Sequence, residues 1–87
     1  MAANTDSLSD KALSIFTFAA YHGLLSGERV SSVIRRDGKG HEADPEGVAE
    51  LEERGLARSE GDSINFTDGG VAFLGTVMTG IRGATGR

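Results

Sequence analysis

The amino-acid sequence predicts one small domain, mostly α-helical with a single short β-hairpin, and three observations carry that expectation. Apolar residues recur at helical spacing in several separate segments. Arg54-Gly55-Leu56 reads as the C-cap of one of these helices. From Leu56 the apolar period falls to two, and Thr67 then opens a last helix. The expected order is helix, helix, helix, hairpin, helix. Residues 8–81 form the domain, residues 1–7 a disordered lead-in and residues 82–87 a frayed tail.

The first helix starts at Ser7 or Ser9 as cap and runs to about His22. Its residues Ala12, Ile15, Phe16, Ala19 and Ala20, with Leu8, Leu13, Tyr21, Leu24 and Leu25 beside them, cover a wide arc, as expected of a central strut. Gly23 or Gly27 breaks the pattern. Glu28 to Arg36 reads as a second, short helix with Val30, Val33 and Ile34 facing inward. Asp37 to Ala43 has two glycines and no apolar period, so it reads as a loop.

The third helix is marked by Asp44 as N-cap and Pro45 at the first helical position, where its missing N–H costs nothing. Val48 and Leu51 give it a narrow apolar stripe among Glu46, Glu50, Glu52 and Glu53. Gly55 suits the left-handed conformation of a Schellman cap, with Leu56 folding back on Leu51. In the hairpin, Leu56 and Arg58 share one face and Ile64 and Phe66 another, on either side of a turn at Glu60-Gly61-Asp62. The last helix carries Val71, Leu74, Val77, Met78 and Ile81 at helical spacing.

Eighty-seven residues with a formal charge of −4 and no cysteine exclude a disulfide framework and a thiolate metal site. The N-terminal residues lack the basic and apolar pattern of a signal peptide, and the apolar run Val71 to Ile81 is far short of a bilayer span, so a cytoplasmic protein is expected. Catalysis finds no constellation. His22 and His41 lie in unrelated segments, and Glu42 and Asp44 beside His41 fix no metal geometry. Asp37-Gly-Lys-Gly lacks the flanks of a phosphate-binding loop, and Ser31 and Ser32 have no evident base. No enzyme activity, metal or cofactor is expected.

Two short motifs, Leu51-Glu-Glu-Arg-Gly-Leu56 and Phe66-Thr-Asp-Gly-Gly70, together with the element order, resemble winged helix-turn-helix domains of MarR- and PadR-type regulators. The likeness covers about residues 8 to 80. It implies a winged helix-turn-helix fold, a role in transcription regulation and contact with duplex DNA. Two features depart from the pattern: the link between the second and third helices is long, and the third helix, which enters the major groove in DNA-binding relatives, is acidic.

Charge is segregated along the chain. Residues 42–53 hold six carboxylates and no base, whereas Arg35, Arg36 and Lys39 precede them and Arg58 follows on the wing. A DNA-binding reading therefore rests on Arg35, Arg36, Lys39 and Arg58 as phosphate contacts, giving weak and salt-sensitive affinity. The alternative is a protein-binding module that uses Glu46, Glu50 and Glu53 against a basic partner. In either case Leu74, Val77, Met78 and Ile81 on the last helix are expected to form a homodimer surface. Gly70, Gly75 and Gly80 recur every five residues, which is not the spacing of a glycine seam.

Overall fold

The computed structural model describes residues 7–36 and 42–85. The expected lead-in before Ser7, the loop residues 37–41 with Lys39 and His41, and the final two residues lie outside the described part. Three helices and a three-stranded antiparallel sheet follow in the order α1 (Asp10–Ser26), β1 (Ser32–Ile34), α2 (Pro45–Glu53), β2 (Ala57–Glu60), β3 (Ser63–Phe66), α3 (Asp68–Gly83). The sheet order is β1-β3-β2. No helix among the described residues is long and apolar enough to cross a membrane.

Helix α1 begins at Ser9, whose hydroxyl accepts from the Ala12 N–H at 3.2 Å. It runs past Gly23 because that glycine is buried against α3, where a Cβ would stand 2.9 Å from the Met78 methyl. The stop comes at Gly27, with φ +73.

The helix expected over Glu28 to Arg36 is not formed. Its central residues form β1, paired antiparallel with β3 in the register Ser32 to Asn65, Val33 to Ile64 and Ile34 to Ser63. The physical reason lies in composition. Val30, Val33 and Ile34 are β-branched and Ser31 and Ser32 compete for backbone hydrogen bonds, so helix propensity is low, and β3 offers an edge to pair with. Spacing by three and four placed all three apolar residues on one helical face. In the strand only Val33 is buried, and Ile34 is 43% exposed.

Helix α2 has the expected ends. Asp44 accepts from the amides of Glu46 and Gly47 at 2.9 and 3.3 Å, and Pro45 opens the helix. At the other end the Leu56 N–H donates to the Leu51 carbonyl (2.9 Å) and the Gly55 N–H to that of Glu52 (3.2 Å), with Gly55 at φ +74. This is the full Schellman pair of bonds. The hairpin closes with a two-residue turn, Gly61-Asp62, in which Gly61 alone has positive φ. Its faces differ from the expected ones by one residue: Leu56 still belongs to the cap, so Ala57 and Ser59 face Phe66 and Ile64, while Arg58 is turned outward opposite Asn65.

The end of α2 and the start of α3 are tied together by one threonine. Thr67 accepts from the Gly70 N–H at 3.1 Å, donates its hydroxyl to the Gly55 carbonyl at 2.7 Å, and donates its N–H to the Leu56 carbonyl at 3.0 Å. A Cβ on Gly70 would overlap that Leu56 oxygen, so only glycine permits the approach. The two short motifs are thus two halves of one joint. Beneath it lie Phe16, Leu51, Leu56 and Ile64, all fully buried. Phe16 stacks on Phe66 with centroids 5.1 Å apart and meets Phe73 edge-on at 4.8 Å.

Candidate interaction surfaces

The carboxylates of α2 were expected to face outward, yet several are bound within the domain. Glu46 forms an ion pair with Lys11 of α1 at 2.7 Å. Glu50 accepts from both the backbone N–H and the hydroxyl of Ser9, at 2.9 and 2.6 Å, tying α2 to the start of α1. These hydrogen bonds hold the Glu50 carboxyl below its usual pKa, and the hydrogen bond and charge of Glu46 raise that of Lys11. Glu52 accepts from the Ser59 N–H at 3.4 Å, while Glu53 is exposed. Of Glu46, Glu50 and Glu53, the first two thus have partners on or beside α1.

The bases proposed for DNA are dispersed. The half-buried Arg35 reaches Ser59 of β2 at 3.4 Å, and Arg36 pairs with Glu42 at 3.7 Å across an isolated bridge. Arg58 stands on the outer face of the hairpin. Arg35 and Arg58 lie on opposite sides of the sheet: Arg35 meets Ser59 on the packed side, whereas Arg58 is exposed. Arg35 and Arg58 are thus not gathered into a single stripe.

On α3, Leu74 is 2% exposed and belongs to the core. Val77 and Met78 are half-buried, and Ile81 is exposed. Phe16 meets Phe73, and Gly23 lies at Met78, so α1 and α3 pack side by side in the same direction. Beyond these contacts Leu24 and Leu25 emerge on α1 and Ile81 on α3, all exposed.

A concavity lies elsewhere. A groove of about 670 Å³ runs between α1, β1 and the segment leading into α2. Ile15, Phe18 and Tyr21 line it from one side, Val33 and Ile34 from another, and Glu42, Ala43, Asp44 and Pro45 close the third. Tyr21, 59% exposed, and Ile34, 43% exposed, leave apolar surface on its walls. Among the described lining residues the charged ones are Glu42 and Asp44.

Comparison with family models, with curated proteins and with solved structures gives no match. The surfaces must therefore be interpreted from their own chemistry. His22 is exposed and meets Phe18 and Tyr21 edge-on, with centroids 4.5 and 5.4 Å away. Among the described residues no group of three or more His, Cys, Asp or Glu could hold a metal ion.

The groove was missed because the wide apolar arc of α1 reads in sequence as burial on most sides. A signal was present: Ser14, Phe18, Tyr21 and Leu25 follow one another at helical spacing on a face separate from Ala12, Phe16 and Ala19. A domain this small has too few elements to cover both faces.

Proposed function

We propose that this chain is a protein-interaction module of winged-helix type, and that its binding surface is the groove between α1 and β1. The partner presents apolar side chains together with Lys or Arg. The observation that carries this reading is the lining itself: exposed Tyr21 and Ile34 beside Glu42 and Asp44, with no base among the described lining residues. An apolar floor supplies affinity by burial, and carboxylates at its rim select a cationic partner. The net charge of −4 adds long-range attraction of the same sign.

The winged-helix part of the reading is supported by the joint at Thr67 and the hairpin that follows α2. It departs from a helix-turn-helix because β1 stands where the second helix was expected. Duplex DNA is the less favoured partner. The exposed face of α2 offers Pro45, Glu46, Ala49, Glu52 and Glu53, which cannot donate to phosphate, and the bases point different ways.

Tyr21 is the chain's one tyrosine and there is no tryptophan, so intrinsic fluorescence reports on the groove alone. A capped peptide of alternating lysine and valine should change it saturably, less so at high salt, and Ile34→Glu should weaken the effect. A silent Tyr21, combined with low-salt binding of labelled duplex DNA that Arg58→Ala weakens, would overturn the proposal in favour of DNA.

A further inference from the structure

We infer that the partner segment binds by adding a fourth strand to the open edge of β1, with alternate side chains lying in the groove. This rests on the groove reading and specifies how the site is filled. The Phe66 N–H donates to the Ser31 carbonyl and the Arg35 N–H to that of Asp62, so the backbone groups of Ser31 and Val33 and the N–H of Arg35 face β3. Those of Ser32 and Ile34 consequently face away, on the outer side of the sheet order β1-β3-β2. Among the described residues nothing pairs with them there.

An open edge with exposed Ile34 at its end is a template for an extended chain. Main-chain hydrogen bonds to Ser32 and Ile34 would fix its position, and every second side chain would reach the apolar lining at Phe18 and Tyr21. Beyond Ile34 the Arg35 carbonyl accepts from the Ala43 N–H and Glu42 bridges Arg36, so the open stretch of the edge is Ser32 to Ile34.

Charge identifies the occupant as an extended segment whose apolar residues alternate with Lys or Arg. Arg29 lines a separate cavity beside α3 and Arg35 reaches Ser59, both away from the groove. At its mouth Arg36 pairs with Glu42, so among the described lining residues Asp44 carries the charge that no base offsets.

The test uses three versions of the lysine–valine peptide: unmodified, N-methylated at every lysine, and N-methylated at every valine. In an added strand only one alternate set of N–H groups faces β1, so one methylated peptide should lose affinity by at least about tenfold and the other should bind like the parent. Tyr21 fluorescence measures affinity, and hydrogen exchange at the Ser32 and Ile34 amides should slow with the two binding peptides only. Equal binding of all three, with unchanged exchange at those amides, would overturn strand addition while leaving the groove reading intact. No response of Tyr21 to the parent peptide would overturn both.

Discussion

Replacing Gly47 by alanine tests the packing that holds the groove open, and its outcome can be worked from distances. Gly47 sits in the first turn of α2, where a Cβ would lie 2.6 Å from the Lys11 carbonyl oxygen and 2.8 Å from its carbon. Carbon and oxygen normally approach to about 3.3 Å, so α1 and α2 must separate by several tenths of an ångström. Both contacts are backbone, and neither can rotate away. The shift would also stretch the Lys11–Glu46 pair and the Ser9–Glu50 bonds, which cross the same interface. Overpacking costs about 1–3 kcal/mol, and against two backbone atoms the upper part of that range, about 2–3 kcal/mol, applies, offset by a gain of at most about 1 kcal/mol in helix propensity. Gly75→Ala is the control, since it lies within α3 with nothing inside 4 Å of its added Cβ. With a urea m-value of about 1 kcal/mol/M for a domain of this size, the midpoint should fall by about 1–2 M for Gly47→Ala and rise by up to about 1 M for Gly75→Ala. Shifts of the same sign, or an unaffected Gly47→Ala, would refute the close-approach argument.

Gly55→Ala places a Cβ on a residue at φ +74 and should cost about 1–2 kcal/mol in urea unfolding, with Gly55→Asn costing less. Glu50 is held below its ordinary carboxyl value in the folded state, so its contribution to stability is present above about pH 4.3 and is lost as pH falls through the lower folded value. Glu50→Gln should remove that part of the acid dependence in thermal unfolding at stepped pH; an unchanged profile would show that the Ser9 bonds have no effect. Self-association through α3 should use Val77, Met78 and Ile81 together with Leu24 and Leu25, without the core residue Leu74. Sedimentation equilibrium should then give twice the chain mass for the parent and the single-chain mass for Ile81→Glu, whereas a strict monomer at high concentration would remove that surface.

Local signals with a single physical solution were legible in the sequence. Asp44-Pro45 and Arg54-Gly55-Leu56 bracket α2 because each names a backbone need, a cap acceptor at one end and a left-handed residue at the other. Thr67 was legible for the same reason, although its donation to Gly55 and the tight fit of Gly70 under Leu56 depend on three-dimensional placement. Val30, Val33 and Ile34 misled because their spacing fits a helix, and only the partner strand β3 decided the outcome. The misplaced face of Arg58 followed from counting Leu56 as the first strand residue when it still belongs to the cap. Glu46 and Glu50 looked like a free acidic face because their partners, Lys11 and Ser9, lie on a helix far away in sequence. The groove was hidden for the converse reason: apolar residues on α1 were assigned to a core, and among the described residues no element covers them.

Amide chemical-shift mapping with the lysine–valine peptide and with a short DNA duplex, both at low salt, tests the central claim most directly. The peptide should move Phe18, Tyr21 and Ile34 and their neighbours along the groove, and the duplex should leave the spectrum unchanged. Shifts on adding DNA that concentrate at Arg58, Asn65 and the exposed side of α2, with the groove silent to peptide, would contradict it.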